Sequence, residues 1–342
     1  MTTIAIIGTG LIGTSLALAF KQSHLRDIEL VGTDHEAGAR GAAQKTGAFS
    51  RVEGRLSSTV RDADVVILAT PVMAMRDLME TIGPELKDGC VVTDVGSSKR
   101  VVLGWAEEFL PRTVEFVGGH PMAGKETAGA KFADGNLFRG KAYCIVPSPR
   151  ARQQAVAAVT NLAEAAGARP LFIGVEEHDS FVAAASHLPF LLSVALVGCT
   201  SKSVNWEDIA QLASSGYHDV TRLASGDPIM HRDICLSNPK PIVAWIDAFI
   251  RELYEVRNML DGQNGQLAGQ KGESIQKMFE QASEARARWL AGGVTQRARE
   301  GHPVSEMPTF TENMGQLFVG KRVMDAQKRF FKDREDGGRR QK

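Results

Sequence analysis

The sequence predicts an α/β protein with a doubly wound parallel sheet in its first half and an all-helical domain in its second half. In the first half, short β-branched runs alternate with amphipathic stretches, which is typical of βαβ units. After residues 171–173, the last strand-like run, the apolar pattern changes to helical spacing. The length of 342 residues also exceeds the usual size of one hydrophobic core, so we expect two domains.

The predicted strands are short and apolar throughout, as strands buried on both faces of a parallel sheet usually are. They cover residues 3–7, 28–33, 65–69, 90–95, 116–118, 142–146 and 171–173. Apolar residues at helical spacing follow the first strand at once, beginning with Ile12 and Leu16. This order of strand, turn and helix predicts the entry to a doubly wound sheet.

Two apolar segments define the helical half. Residues 242–260 carry apolar side chains at helical spacing and predict one long amphipathic helix. Residues 180–201 contain no charged side chain, so a membrane span has to be considered. His187 and Pro189 interrupt this stretch, and a helix in a core or at a subunit interface fits better. We expect residues 181–197 to form a homodimer interface; an intramolecular core is the alternative.

The predicted domain boundaries follow these changes of pattern. Residues 1–174 form the sheet domain, residues 175–320 form the helical domain for substrate binding and dimerisation, and residues 321–342 form a tail. The tail holds nine Lys or Arg against four Asp or Glu and ends in GGRRQK. We expect it to be disordered.

Composition narrows the class of protein. Hydrophobic residues make up 43% and charged residues 23%, as in ordinary globular enzymes. Forty basic residues balance 40 acidic residues, which gives no net charge to attract nucleic acid or an anionic membrane. The N-terminal residues show no signal peptide, and the four cysteines form no CxxC pair. We therefore expect a cytoplasmic enzyme for a small molecule, without disulfides or structural zinc.

A glycine motif follows the first predicted strand. Gly8, Gly10 and Gly13 give GxGxxG, with Leu11 and Ile12 between the last two glycines. The first glycine permits a tight turn, the second allows the backbone to approach a pyrophosphate, and the third allows close packing of helix on strand. The free N–H groups of the helix N-terminus then face the phosphates. The motif and its context predict a Rossmann-type dinucleotide site that includes all five residues.

An acidic residue in the expected place favours NAD as the cofactor. Asp34 ends the second predicted strand and can accept hydrogen bonds from the adenosine ribose, whereas a 2′-phosphate would meet a like charge. The alternative is that Asp34 only caps the next helix. Arg40 is the one nearby feature that could weaken the preference for NAD. We also assign Thr70 and Pro71, just after the strand at 65–69, to the cofactor site.

Three segments are more polar than a fold alone requires. They are DVGSSK at 94–99, GGHPMAGKE at 118–126 and SHLP at 186–189. The first two follow predicted strands, and open α/β sheets bind ligands at the carboxyl ends of their strands. We expect these segments to face one cleft.

In these segments the chain resembles the prephenate dehydrogenase family, which includes arogenate dehydrogenases. The resemblance covers residues 4 to about 260 and includes GTGLIG, TDVGSSK, GGHPMAGKE, SHLPF and DVTRLASGDPIMHRDI in the order of the family. It implies a Rossmann-type domain followed by a helical dimerisation domain. It also implies oxidative decarboxylation of prephenate, or of arogenate, with NAD.

The resemblance assigns the catalytic roles. His120 takes the proton of the substrate hydroxyl as hydride leaves the same carbon, and Ser97 helps to orient this histidine and the substrate. A base of this kind is expected to titrate near the ordinary histidine pKa of about 6.5. Other interpretations remain, because His120 could be a hydrogen-bonded turn residue and Ser97 could cap the next helix.

The resemblance also assigns the substrate site. Arg222 holds a substrate carboxylate, His187 lines the same pocket, and Lys99 and Glu126 lie at its rim. Arg222 could instead form a surface ion pair, and His187 could be a core residue with a hydrogen-bonded ring.

The chemistry agrees with these residue types. Prephenate is a dianion with an alcohol on a cyclohexadiene ring, so its site needs a near-neutral base and a cation for carboxylate. Aromatisation drives the loss of CO2 and needs no metal, and the sequence shows no metal motif. The departures from the family pattern are Lys125, His218 and His231, which we expect near the pocket entrance. Competing hypotheses are a β-hydroxyacid-type dehydrogenase and a silent NAD-binding protein.

Overall fold

The computed structural model describes residues 1–125, 127–261 and 268–292. By its internal contacts the chain divides into two compact units, residues 1–249 and 250–342. The sheet and the candidate site belong to the first unit. The predicted domain boundaries stay predictions, and the predicted tail at 321–342 lies outside the described residues.

An eight-stranded, mostly parallel sheet forms the centre of the first unit. Its strands are β1 (Thr2–Ile7), β2 (Ile28–Thr33), β3 (Arg51–Glu53), β4 (Val65–Leu68), β5 (Val91–Asp94), β6 (Glu115–Pro121), β7 (Ala142–Pro147) and β8 (Arg169–Phe172). Their order across the sheet is β3-β2-β1-β4-β5-β6-β7-β8. The order reverses direction beside β1 and β4, and this is where doubly wound sheets open a ligand crevice. The predicted fold class is confirmed.

Helices cover both faces of the sheet. They are α1 (Leu11–Gln22), α2 (Ala37–Lys45), α3 (Leu56–Val60), α4 (Ala74–Ile82), α5 (Arg100–Phe109) and α6 (Gln153–Ala165). Alternate residues of β1 point into two cores, with Ile4 and Ile6 on one face and Ala5 and Ile7 on the other. Each large apolar side chain buried in this way contributes about 1.5–3 kcal/mol. The two cores fix the strand ends that carry the site.

The structure corrects the sequence at three points of the sheet. Strand β3, three residues long, was not predicted, because so short a run carries no recognisable period. Strand β7 pairs antiparallel with β6, with Pro121 opposite Tyr143. Strand β6 continues to Pro121, beyond the predicted end at residue 118. His120 is therefore held by strand pairing and does not lie in a loop.

The described part of the second half is helical. Its helices are α7 (Val175–Val182), α8 (Leu188–Thr200), α9 (Trp206–Leu212), α10 (Ser215–Thr221), α11 (Pro228–Ser237), α12 (Pro239–Asp261) and α13 (Ala268–Leu290). A π-helical turn, Ala183–His187, joins α7 to α8 without a break. Helix α12 covers the predicted range 242–260.

The stretch Val175–Thr200 is, within the described chain, the one helix long and apolar enough to cross a membrane by length and composition. Apolar helices of soluble proteins pass the same test. Only 28% of its most apolar window is buried in the single chain, and Phe181 and Val194 are 58% and 46% exposed. This surface is apolar and largely uncovered.

Candidate active site

The glycine turn has the form that a dinucleotide needs. Gly8 has φ of +98°, and a Cβ there would lie 2.4 Å from the carbonyl oxygen of Ala69. A Cβ on Gly13 would lie 2.0 Å from the carbonyl oxygen of Gly8. A Cβ on Gly10, in contrast, would meet no atom within 4 Å. Gly8 and Gly13 are thus required by the fold, whereas the space above Gly10 is open for a ligand.

Asp34 lies beside this turn. Its Oδ2 accepts a hydrogen bond of 2.8 Å from the backbone N–H of Thr9, and its Oδ1 accepts one of 3.1 Å from Glu36. Helix α2 begins at Ala37, so Asp34 is not its capping residue. The Arg40 guanidinium donates to the carbonyl oxygens of Asp34 and His35. The carboxylate is thereby fixed at the edge of the glycine turn.

A cavity of about 340 Å³ runs from the glycine turn to His120. The predicted cofactor residues in its wall are Gly10, Leu11, Ile12, Thr70 and Pro71. The hydroxyl of Thr70 is buried and has no protein partner. A buried polar atom without a partner, an open approach over a helix N-terminus and a fixed carboxylate all fit a dinucleotide.

A second cavity, of about 500 Å³, shares Ser97 and His120 with the first. Its wall also contains Ser186, Arg222 and His231. His231 stacks on the ring of Phe190 at 4.1 Å, and burial lowers its pKa. The residues shared by the two cavities therefore lie where a cofactor and a substrate would meet.

His120 is held by a buried chain of hydrogen bonds. Its Nδ1 lies 2.9 Å from Nε2 of His178, and Nδ1 of His178 lies 2.8 Å from Oδ1 of Asp179. His178 is fully buried, Asp179 is 2% exposed and His120 is 8% exposed. The three side chains form a relay in which only His120 reaches the cavities.

The electrostatic surroundings keep His120 neutral. Burial lowers the pKa of His120 well below 6.5, and His178, Lys99 and His187 lower it further. The expected pKa near 6.5 is therefore wrong for the protein without substrate. A neutral imidazole is the form that can accept a proton.

Asp179 is ionised and also caps a helix. Burial raises its pKa, but hydrogen bonds from His178 and from the backbone N–H groups of Arg100 and Lys99 lower it more, so the net shift is downward. The two backbone bonds are 2.9 and 2.7 Å long. Helix α5 is thus capped by a residue of α7, and Ser97 does not have this role.

Beneath His120, Lys99 forms a buried ion pair with Asp94. The Asp94 carboxylate also accepts hydrogen bonds from the backbone N–H groups of Gly96 and Gly119. A Cβ on Gly119 would lie 2.6 Å from the carbonyl oxygen of Asp94, which explains one of the two glycines before His120. Lys99 is fully buried, so its predicted place at the rim is wrong. Its ammonium needs the carboxylate because burial of a lone charge is costly.

Two other predicted residues are placed differently from the expectation. Ser97 lines both cavities but makes no hydrogen bond to His120 in the described structure. His187 is fully buried and is not in the cavity wall, so its predicted place in the pocket is wrong. Its Nδ1 lies 3.3 Å from Asn238, its Nε2 has no partner, and burial lowers its pKa to about 4.

Of the remaining predicted residues, two line the substrate cavity, one is exposed on a helix outside its wall, and one lies outside the described chain. Arg222 lies in its wall, at the start of the turn after α10. Lys125 also lies in this wall, and its ammonium is 3.4 Å from Asp134. His218 is exposed on α10. Glu126 lies outside the described residues.

His178 and Asp179 were not among the predicted site residues. They lie in EEHDSF at the start of α7, where two preceding glutamates suggest only an ordinary helix N-terminus. Their partners are 58 and 80 residues away along the chain. The signal in the sequence was an adjacent His and Asp just before the uncharged stretch that begins at residue 180. No group of three or more potential metal ligands occurs among the described residues.

Comparison with known proteins gives the family. A family model described as prephenate dehydrogenase, nucleotide-binding domain, matches residues 16–171. A second, described as prephenate dehydrogenase, dimerization domain, matches residues 174–281. The chain belongs to the prephenate dehydrogenase family.

Relatives agree along nearly the whole chain. The prephenate dehydrogenase of Bacillus subtilis is 31% identical over 98% of this chain and 89% of its own length. The cyclohexadienyl dehydrogenase of Zymomonas mobilis is 30% identical over 83% of this chain and 94% of its own. The structure of Aquifex aeolicus prephenate dehydrogenase in complex with hydroxyphenyl propionate and NAD+ superposes with a TM-score of 0.75 at 26% identity. It covers 83% of this chain and 98% of that one.

Proposed function

We propose that this member of the family oxidatively decarboxylates prephenate to 4-hydroxyphenylpyruvate with NAD, in the route to tyrosine. The observation that carries the proposal is the position of His120. It lies where the cofactor cavity and the substrate cavity meet, and its Nδ1 is occupied by His178. Its other ring nitrogen, Nε2, is therefore the base for a substrate hydroxyl.

The cofactor part rests on the glycine turn and Asp34. NAD+ bound in this cavity would supply the acceptor for the hydride that leaves the ring carbon carrying the hydroxyl. The N-terminus of α1 would hold the pyrophosphate, and the Asp34 carboxylate would accept hydrogen bonds from the ribose hydroxyls and repel a 2′-phosphate. NAD should therefore be preferred over NADP.

The substrate part rests on charge. The charged residues in the described wall of the substrate cavity are the cations Lys125 and Arg222, and this wall contains no Asp or Glu. Prephenate and arogenate both bring two carboxylates, and arogenate brings in addition an ammonium that would need an anionic partner. The charges of the described wall fit prephenate, and Arg222 is the proposed partner of a substrate carboxylate.

The steps assigned to this chain are binding and proton transfer. Arg222 holds the substrate, and Nε2 of His120 takes the hydroxyl proton as the carbonyl forms. Loss of CO2 then leaves its electron pair in the ring, which becomes aromatic. Lys99 forms its buried ion pair with Asp94 near His120, lowers the pKa of His120, and has no assigned contact with substrate.

Assembly and location are further parts of the proposal. We propose a homodimer that covers the apolar surface of α8, because the second family model is a dimerization domain. A cytoplasmic location is supported by four cysteines that form no disulfide in the described chain.

Steady-state assays with prephenate and arogenate, each with NAD and NADP, test this proposal. We expect kcat/KM to be highest for prephenate with NAD. Replacing prephenate by arogenate, or NAD by NADP, should lower kcat/KM at least about tenfold, equivalent to ~1.4 kcal/mol. The product should be identified as 4-hydroxyphenylpyruvate, with one CO2 released per turnover. Arogenate as the better substrate would overturn the charge argument, and no turnover of either would overturn the function.

A further inference from the structure

The relay behind His120 has a fixed direction. Asp179 is a carboxylate, so it can only accept, and Nδ1 of His178 must carry the proton of their 2.8 Å bond. Neutral His178 then has a bare Nε2, which accepts the 2.9 Å bond from Nδ1–H of His120. Neutral His120 is thereby held with its lone pair on Nε2, the atom left for the cavity.

The charge balance of the overall reaction determines whether a proton is released. Prephenate has two negative charges and NAD+ one positive charge, whereas 4-hydroxyphenylpyruvate has one negative charge and CO2 and NADH add none to this balance. The overall reaction thus releases no proton. The proton taken from the hydroxyl can therefore be held beside the substrate until the ring is aromatic and then returned to the phenolate oxygen.

We propose that His178 holds this proton during the reaction and that Asp179 stabilises it there. The O–H bond of the substrate breaks as hydride leaves the same carbon, the O–H electron pair forms the carbonyl, and the proton bonds to Nε2 of His120. In the same step the Nδ1–H bond of His120 breaks, its electrons remain on Nδ1, and that proton bonds to Nε2 of His178. After CO2 leaves, both transfers reverse and the phenol is formed. This inference rests on the proposed function.

The surrounding charges favour the proton on His178. Lys99 and His187 face His120 together with His178, and burial and these groups lower the pKa of His120. The Lys99 charge is balanced by Asp94 on its other side. His178 instead has the Asp179 carboxylate 2.8 Å from its Nδ1, so the transferred proton would lie next to a negative charge. His178 and Asp179 are thus positioning residues that touch no substrate.

The burial of His178 and Asp179 protects the transferred proton from solvent. His178 is fully buried and Asp179 is 2% exposed, so water cannot take the proton from them directly. The only member of the relay in a cavity wall is His120. A proton moved to His178 can therefore return only through His120 to the same substrate oxygen.

The ground state of the relay can be tested without substrate. Nitrogen-15 NMR of the full-length, histidine-labelled protein at neutral pH should show Nδ1–H tautomers for both His120 and His178. Spectra of His120→Asn and His178→Gln assign the two rings. A His120 ring protonated on Nε2 would overturn the relay, whichever substrate the enzyme uses.

The transfer is tested by kinetics in mixtures of H2O and D2O. A plot of wild-type kcat against the deuterium fraction of the solvent should be curved, as expected when two protons move in one transition state. In His178→Gln, a glutamine oxygen can still accept from His120 but cannot hold the proton. We expect kcat of this variant to fall by about 10²-fold and KM to stay within about threefold of wild type. Its plot of kcat against the deuterium fraction should become linear.

His24→Gln, the same change at an exposed position, is the matched control and should leave kcat and the curve unchanged. A His178→Gln enzyme that keeps more than half of wild-type kcat, or keeps the curved dependence, would overturn the proposal. If this variant does not fold, the wild-type dependence and the wild-type tautomers still decide, because a linear wild-type plot excludes two protons moving together in the rate-limiting transition state. Failure of wild type to oxidise prephenate would instead contradict the proposed function.

Discussion

His120 combines three properties that a lone histidine in a loop would lack. It is fixed by strand pairing opposite Cys144, it is desolvated, and one of its nitrogens is occupied by His178. Desolvation makes it a weaker base in the resting protein, while the relay gives the accepted proton a favourable site. Desolvation by the surrounding protein weakens His120 as a base, whereas the compensating site for its proton requires His178 and Asp179.

Replacement of His120 by Asn should remove the base without removing the site. General-base catalysis contributes about 10²- to 10⁴-fold, so His120→Asn should lower kcat by that factor while the dissociation constant of NAD+ stays near normal. Stopped-flow or steady-state kinetics measure the first, and fluorescence titration measures the second. A folded variant with more than about a tenth of wild-type kcat would remove His120 from this role.

The pH dependence follows from the lowered pKa of His120. Above this pKa the imidazole is neutral and active, and below it the protonated ring cannot take a proton. Wild-type kcat/KM should therefore be constant around neutral pH and fall on acidification with a midpoint below 6.5, the ordinary histidine value. A midpoint at or above 6.5 assigned to His120 would contradict the electrostatic picture.

One structural element consists of β1, the glycine turn and α1. In it, Gly8, Gly10 and Gly13 have different roles. The contacts show that Gly13 is needed for packing, because its Cβ would overlap Gly8, whereas the space above Gly10 contains no protein atom. Packing within the protein thus explains why residue 13 is glycine. The open space above Gly10 is explained by a ligand that would occupy it.

This difference predicts opposite effects of alanine at the two positions. Gly13→Ala should lower the unfolding temperature of the protein without ligand, since overpacking typically costs about 1–3 kcal/mol. Gly10→Ala should leave that temperature nearly unchanged but weaken NAD+ binding at least about tenfold, or ~1.4 kcal/mol. Gly41→Ala, an exposed helical site without neighbours, is the control for both measurements. Equal NAD+ affinity in Gly10→Ala and wild type would place the pyrophosphate elsewhere.

At the scale of the molecule, the apolar helix α8 leaves most of its residues incompletely buried in the single chain. Within α8 only Phe190 and Ser193 are buried, although the helix has no charged residue. Large exposed apolar patches mark interaction surfaces. A second copy of the chain is the partner that the dimerization-domain match supports.

A single charge in this surface should therefore separate the subunits. Val194 is 46% exposed, and Val194→Glu should convert a dimer at micromolar concentration into a monomer in sedimentation velocity experiments. Leu171→Glu on β8 is the matched control, since Leu171 is 45% exposed on an edge strand outside α8. A monomeric wild type, or a dimeric Val194→Glu, would exclude this interface.

Local sequence determined the features that depend on neighbouring residues. The glycine turn, Asp34 at the end of β2 and helix α12 are set by short spacings, so period and turn chemistry were enough to find them. The family motifs identified His120, Ser97 and Arg222 as residues of one site. The structure places all three in the wall of the substrate cavity, and their roles stay predictions.

Tertiary structure alone decided which side chains meet across the fold. The burial of Lys99 and of His187 depends on the elements packed around them, and the cap of α5 by Asp179 depends on contact between α7 and the start of α5. The relay from Asp179 to His120 joins residues about 60 positions apart, and hydrogen bonds of this kind leave no period in a sequence. The sequence identified the proposed base, but packing decided its hydrogen-bond partner and its electrostatic surroundings, because these come from neighbours such as His178 that are distant along the chain.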